Sequence, residues 1–166
     1  MHTVTALLER LKTLSADERH AEMQALAAFP PAEAVEWALA LLEGLEAEHG
    51  PLVGMACAQI VARSGDSAHL DRLRAARAGL PAMPGWRDWR QEVGHAQRML
   101  ETRARGECEC AAVRSDNYPP TNDRFETIEE TLGDWEAELS VRCRACGRTY
   151  RVVRDDGYHY PVFRWR

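Results

Sequence analysis

Four cysteines near the C-terminus are the residues of this chain whose types and spacing predict shared chemistry. They form two close pairs, Cys108-Glu-Cys110 and Cys143-Arg-Ala-Cys146, with thirty-two residues between the pairs. Four thiolates from two such pairs can surround one ion, and Zn²⁺ favours a tetrahedral site of sulfur ligands. The spacing therefore predicts one structural Zn²⁺ bound by Cys108, Cys110, Cys143 and Cys146. A site with four protein ligands leaves no coordination position for a reacting water.

Other interpretations of these cysteines stay open at this stage. Cys143 and Cys146 could form a redox dithiol whose pKa is lowered by the surrounding arginines. The four cysteines could also be incidental, and His159 could replace one sulfur as a ligand. The fifth cysteine, Cys57, lies in an apolar stretch and is expected to be a buried core residue.

The composition is that of an ordinary globular protein. The chain has 166 residues, of which 45% are hydrophobic and 28% charged. It contains neither a long apolar run typical of a membrane span nor a basic segment followed by an apolar one at its N-terminus, so we expect a cytoplasmic protein without a membrane partner. In a reducing compartment, clustered cysteines are more often metal ligands than disulfides.

Motifs of common enzyme classes are missing from the sequence. There is no glycine-rich phosphate loop, no GxSxG and no HExxH. Paired carboxylates, such as Glu129-Glu130 and Asp155-Asp156, fall at positions expected to be exposed and show no asymmetry that would separate an acid from a base. We therefore expect a protein that is not an enzyme.

Charge is distributed unevenly in the C-terminal third. Residues 107–141 contain two basic and ten acidic residues, giving −8, and residues 142–166 contain seven and two, giving +5. Arginines interleaved with aromatics in the second segment could bind nucleic acid. Alternatively, the aromatics form a core and the arginines pair with Glu126, Glu129, Glu136 and Glu138. The second interpretation is favoured, because the acidic segment would repel nucleic acid.

The first hundred residues carry helical patterns. Apolar residues recur at helical spacing in six segments, which begin at Val4, after Ser15, at Pro31, near Leu52, near Leu70 and at Trp86. Ser15-Ala-Asp-Glu18 is a capping-box pattern, and Pro31 suits a first helical turn. Trp37, Trp86 and Trp89 lie at helical spacing and are expected in the core, although they could anchor a partner.

Short helices joined by short turns are typical of stacked helical hairpins or of a bundle. The stretch from Pro51 to Asp66, PLVGMACAQIVARSGD, is followed by a helix with Leu70 and Leu73. Together they resemble one HEAT-type repeat, in which a second helix packs back onto the first. The resemblance covers residues 51–80 and extends loosely over 16–48.

The last sixty residues carry strand patterns. Trp135, Ala137, Leu139, Val141 and Cys143 alternate with polar residues, which predicts a half-buried strand. Gly133-Asp134 predicts a two-residue hairpin turn from a partner strand over 125–132. Asp156-Gly157 predicts a second hairpin between 148–154 and 158–165, and residues 114–124 are expected to form a loop.

Cys143-x-x-Cys146-Gly147 ahead of a strand resembles the second knuckle of a zinc ribbon. In that family, glycine lets the backbone turn while its amides face the sulfurs. The first pair departs from the family pattern, because one residue separates Cys108 from Cys110 where two are usual. The resemblance implies a structural zinc module.

The sequence thus predicts an α+β protein. Residues 1–105 would form antiparallel helical hairpins, HEAT-like or bundled, and residues 106–166 a small antiparallel zinc-ribbon-like sheet. The favoured function is a non-enzymatic protein–protein interaction module, such as an adaptor, a regulator or an immunity-type protein, whose partner is another protein. A nucleic-acid-binding zinc protein is the first alternative, and a thiol oxidoreductase at Cys143 and Cys146 is the second.

Overall fold

The computed structural model describes residues 3–80, 87–157 and 161–166. It confirms the α+β layout, with helices first and an antiparallel sheet after them. The chain divides into two compact units, Met1–Ala104 and Arg105–Arg166. We refer to them as the N-terminal unit and the C-terminal unit.

The N-terminal unit is helical, as its periodicity predicts. Its helices are α1 (Val4–Thr13), α2 (Ala16–Ala27), α3 (Pro31–Glu43), α4 (Pro51–Ser64), α5 (Leu70–Gly79) and α6 (Arg87–Ala104). No helix in the described part of the chain is both long and apolar enough to cross a lipid bilayer.

The helices pack as two layers of stacked hairpins. In one layer, α3 packs against α1 and α5, and in the other, α4 packs against α2 and α6. The hairpins α3/α4 and α5/α6 each have one helix in each layer. The expected repeat over 51–80 would instead pair α4 with α5. In the structure, α4 pairs with α3 and α6, because its apolar stripe is wide enough to contact both helices.

Helix starts follow the local sequence. The Ser15 hydroxyl accepts a hydrogen bond from the Glu18 amide, and the Glu18 carboxylate accepts one from the Ser15 amide. This is the predicted capping box, and it satisfies amides that have no partner inside the helix. Pro31 occupies the first turn of α3, where its missing amide costs nothing.

Two side chains tie α1 to the turn before α4. The Arg19 guanidinium donates to the carbonyls of Leu11, Lys12 and His49. His49 is buried, accepts from the Glu46 amide at 2.8 Å and donates through Nε2 to the Leu8 carbonyl at 3.1 Å. His49 therefore has a structural role in satisfying buried backbone groups.

The core of the N-terminal unit lies where α3, α4 and α6 meet. Leu39, Val53 and Leu100 are fully buried there. Cys57 is also fully buried, and this burial raises the pKa of its thiol to about 12, which confirms it as a core residue. Trp37 is half-buried. Trp86 and the Trp89 side chain lie outside the described residues.

The described part of the C-terminal unit holds one short helix and one sheet. Helix α7 (Cys110–Ser115) precedes β1 (Phe125–Leu132), β2 (Glu136–Cys143), β3 (Thr149–Asp155) and β4 (Val162–Trp165). The strands are antiparallel in the order β1-β2-β3-β4. The loop expected over 114–124 begins two residues late, because α7 continues to Ser115.

The turn between β1 and β2 differs from the expectation by one residue. Leu132 pairs with Ala137, and the Gly133 amide donates to the Glu136 carbonyl at 2.7 Å. The two-residue turn is therefore Asp134-Trp135, not Gly133-Asp134. Trp135, expected in the half-buried strand, is 71% exposed in this turn. A bulge between Thr127 and Glu129 also shifts the register, and no sequence pattern predicted it.

The sheet has an apolar face and a charged face. Ala137, Leu139 and Val141 of β2 are buried on the first, together with Val152 of β3. On the second, arginines of β2, of β4 and of the residue after β4 pair with carboxylates of neighbouring strands. These ion pairs are Arg142–Glu126, Arg164–Glu136, Arg164–Asp155 and Arg166–Glu138. Three of the four expected glutamate partners, Glu126, Glu136 and Glu138, are thus engaged.

Candidate metal centre

The four cysteines come together from two segments of the C-terminal unit. Cys108 lies in the turn before α7, and Cys110 is the first residue of that helix. Cys143 ends β2, and Cys146 lies in the turn that leads to β3. Their sulfur atoms all lie within 4.8 Å of one another.

The sulfur positions fit a tetrahedral ion. Cys108 Sγ lies 3.5 Å from Cys143 Sγ, and Cys110 Sγ lies 3.6 Å from Cys146 Sγ. A metal–sulfur bond of about 2.3 Å requires sulfur atoms about 3.8 Å apart in a tetrahedron. These two distances are within about 0.3 Å of that value, and no pair of sulfurs exceeds it by more than about 1 Å. The residues present therefore fit the metal that the sequence predicts.

The second cysteine pair lies in a tight turn held by backbone hydrogen bonds. The Gly147 amide donates to the Cys143 carbonyl at 2.9 Å, and the Cys143 amide donates to the Arg148 carbonyl at 2.8 Å. Gly147 has a φ of 72°, a left-handed conformation that glycine adopts without strain. This geometry aims the Arg148 amide at the Cys146 sulfur. The sequence resemblance implied a turn at this place, and the structure has one.

The first pair is built differently. The Cys110 amide donates to the Cys108 sulfur, and the Ala111 amide donates to the Cys108 carbonyl at 3.0 Å. Helix α7 then starts at Cys110, so the pair lies at a junction of turn and helix. A zinc ribbon would place a second hairpin knuckle here, and the single residue between the two cysteines accounts for the difference.

Tyr150 supports the centre from β3. Its hydroxyl lies 3.1 Å from Cys110 Sγ, and its ring packs edge-on against Trp165 at 5.6 Å. Trp165 also packs against Phe125 at 5.2 Å and donates its indole N–H to the Tyr118 carbonyl. Sequence reasoning grouped Tyr150 with the other aromatics of the tail. Tyr150 pairs with Val141, which lies two residues before Cys143. This strand register could have indicated that Tyr150 lies close to the cysteines.

Polar contacts also tie the segments that carry the two pairs. Glu109, between Cys108 and Cys110, forms an ion pair with Arg124. The Arg144 amide donates to the Arg124 carbonyl at 2.9 Å, and its guanidinium donates to the Asn122 carbonyl at 3.0 Å. Arg124 thus joins the two halves of the centre without contributing a ligand.

The thiols differ in acidity. The Arg148 amide lowers the pKa of Cys146, the exposed member of the group, to about 7. Burial raises the pKa of Cys108 to about 12 and also raises that of Cys110. A divalent cation reverses the effect of burial, because its charge stabilises the thiolate form.

Comparison with known protein families, curated proteins and solved structures gave no match for this chain. The resemblances to HEAT repeats and to zinc ribbons therefore rest on motifs, and the structure supports the coarser description. That description is a helical unit followed by a small antiparallel sheet, with four cysteines placed where they could hold a metal ion. His159, the possible substitute ligand, lies outside the described residues.

Proposed function

We propose that this protein is a non-enzymatic protein-binding module in which Cys108, Cys110, Cys143 and Cys146 hold a structural Zn²⁺. The observation that carries the proposal is the group of four sulfurs within 4.8 Å of one another. Four cysteine ligands complete a tetrahedral shell, so the bound ion stabilises the fold and activates no water. The metal would join the α7 segment to the β2–β3 turn.

A role in protein binding, as an adaptor, a regulator or an immunity-type protein, is the function that this architecture supports best. Hydrophobic residues remain exposed in both units, namely Phe29, Leu52, Ile128, Leu132 and Trp135. Exposed aromatic and aliphatic side chains are typical anchors at protein interfaces. The ion pairs on the charged face weaken the nucleic-acid alternative, because they occupy arginines that would otherwise meet phosphates.

Thiol chemistry is the second candidate, and the exposed Cys146 thiol with its pKa near 7 favours it. A thiolate-stabilising amide is equally what a metal ligand needs. The two functions differ in what fills the site. A zinc site masks all four thiols, whereas a redox dithiol leaves Cys146 free to react.

The test is metal content per chain in protein purified without chelator, beside the Cys143→Ser/Cys146→Ser variant. We expect about one zinc per chain, lost in the variant, and four thiols that react with a disulfide reagent only after chelation. A Cys57→Ala variant is the matched control and should retain its zinc, because Cys57 is buried in the other unit. Iron in place of zinc would show that the site holds a different metal from the one proposed. Metal-free protein with a reactive Cys146 would favour the redox function.

A further inference from the structure

A groove with an accessible volume of about 360 Å³ runs along one layer of the N-terminal unit. Helix α4 contributes one wall and helix α2 the other, and Phe29, Pro31 and Ala34 close one part of it. Both large hydrophobic side chains exposed in the described part of this unit, Phe29 at 41% and Leu52 at 46%, line the groove. Exposed apolar surface in this unit is therefore concentrated at one place.

The spacing of the lining residues suits a helical occupant. Along α4 the groove is lined by Leu52, Met55, Ala56, Gln59 and Arg63, which repeat at intervals of three and four residues and so share one helix face. Along α2 the same spacing is shown by His20, Met23, Gln24 and Ala27.

Two parallel stripes of this kind offer ridges between which a third helix can pack. Helices α2 and α4, with 12 and 14 residues, are about 18 and 21 Å long. This length matches about three turns of a partner helix.

The charge of the groove indicates which charge the partner carries. Its titratable lining residues are Arg63 and His20, and no acidic residue of the described chain lines it. The Arg63 guanidinium makes no ion pair within the described part of the chain, whereas other arginines of this unit are engaged, for example Arg72 with Glu36 and Glu43. An unpaired cation beside an apolar groove is complementary to a carboxylate on an apolar helix.

We infer that the groove between α2 and α4 binds an amphipathic helix of a partner protein, through its apolar stripe and a carboxylate that pairs with Arg63. The inference rests on the proposed role in protein binding, and it names the surface and the chemistry of the partner. Met23 and Met55 suit such a site because their flexible side chains can adapt to different apolar residues.

The test uses a displayed library of 14-residue peptides with an apolar stripe at helical spacing and randomised polar positions, selected on the full-length chain. We expect enrichment of peptides with Asp or Glu at one end of the stripe. Selected peptides should bind the Ala56→Arg variant, in which the new side chain fills the groove, at least about tenfold more weakly. Ala75→Arg, on an exposed position of α5, is the matched control and should bind as the native chain does.

Two further variants keep the test decisive. Leu52→Glu removes an exposed anchor with little effect on the core, and it should weaken binding as Ala56→Arg does. With Arg63→Glu as the target, selection should shift from acidic to basic residues at the same peptide position. Enrichment that Ala56→Arg leaves unchanged, basic peptides selected on the native chain, or no enrichment would each overturn the inference.

The outcome is distinguishable from failure of the proposed function. Zinc content is measured on the same preparations, and it depends on the C-terminal unit. A zinc-containing chain without peptide enrichment would overturn the groove alone. A metal-free chain with reactive thiols would instead overturn the structural zinc site, whatever the library returns.

Discussion

At the scale of single residues, Tyr150 connects the sheet to the group of four cysteines. Its hydroxyl lies 3.1 Å from Cys110 Sγ, and burial raises the pKa of this hydroxyl to about 12, so it stays protonated and donates to the sulfur. Hydrogen bonds of this kind orient a ligand and stabilise its charge. The ring itself is held by Trp165 and by the Arg114 guanidinium, 5.9 Å from its centre.

We predict that Tyr150→Phe lowers zinc affinity by about tenfold or more while the fold is retained, because the ring stays and only the hydrogen bonds of the hydroxyl with Cys110 and Arg148 are lost. Competition with a chromophoric chelator measures the change. Thr127→Val, which removes an exposed hydroxyl from β1, should leave the affinity unchanged. An equal loss in both variants would show that the Tyr150 hydroxyl has no special part in the centre.

Residue types predicted the group of four cysteines better than the residues that support it. Four cysteines in two pairs are rare enough in one chain to predict a metal site from spacing alone. The contributions of Tyr150, Arg124 and the Arg148 amide depend on strand register and on turn geometry. Neither is encoded by residue type, so the sequence could not predict them.

At the scale of elements, the turn between β2 and β3 depends on one backbone conformation. Gly147 has a φ of 72°, and a Cβ added there would meet no atom within 4 Å. Any penalty for a side chain at this position is therefore conformational and not steric.

We predict that Gly147→Ala destabilises the zinc-loaded C-terminal unit by about 1–2 kcal/mol, the cost of a left-handed conformation for an ordinary residue. Gly147→Asn should cost less, since asparagine tolerates this region. Chemical denaturation provides the measurement. Gly79→Ala is the control, because its Cβ also meets nothing and its φ is not left-handed. Equal stability of the Gly147→Ala and native proteins would contradict the argument.

The capping box of α2 gives the helical unit a pH dependence. Hydrogen bonds from the Ser15 hydroxyl and amide hold the pKa of Glu18 below its usual value. The stabilisation is therefore fully present above the pKa of the unfolded carboxyl and is lost as pH falls through the folded value. We expect the fall in melting temperature from about pH 6 to about pH 3 to be smaller for Glu18→Gln than for the native chain.

Glu48→Gln is the matched control for this pH series. Glu48 is an exposed carboxylate with no ion pair in the described part of the chain, so its removal should leave the native pH slope unchanged. Identical slopes for native and Glu18→Gln proteins would mean that the capping carboxylate contributes nothing measurable to stability.

Elements were predicted well where periodicity is strong. The six helices and the strand pairing follow from spacing and turn residues. The turn Asp134-Trp135 was misplaced because apolar alternation assigned Trp135 to the strand, although its side chain faces solvent. Helix α7 was missed because six residues are too few to show a period.

At the scale of the whole molecule, the two units differ in how much apolar surface they bury. Most fully buried large side chains, such as Leu39, Leu73 and Met99, belong to the N-terminal unit. Within the described residues of the C-terminal unit, Phe125 is the one side chain of this size that is buried to the same extent. A unit of this size with a small core is only marginally stable by itself, and a bound metal is one way in which small natural domains gain stability.

We therefore predict that removing zinc unfolds the C-terminal unit and leaves the helices folded. Hydrogen exchange resolves the two units, because it reports each amide separately. After chelation, protection of amides such as Val141 and Val152 should fall at least about a hundredfold, since the free energy of metal binding is also that of folding here. Protection at Leu39 and Val53, in the helical core, should stay within a few-fold of its starting value.

The Cys57→Ala variant controls for general effects of losing a thiol, and it should show the same separation, because Cys57 is buried in the helical core, apart from the group of four cysteines. Loss of protection in both units on chelation would show that the helices also depend on the metal. Full protection at Val141 without metal would show instead that the apolar face of the sheet folds this unit unaided. In that case the four cysteines would have been placed for chemistry and not for stability, and the thiol function would become the better proposal.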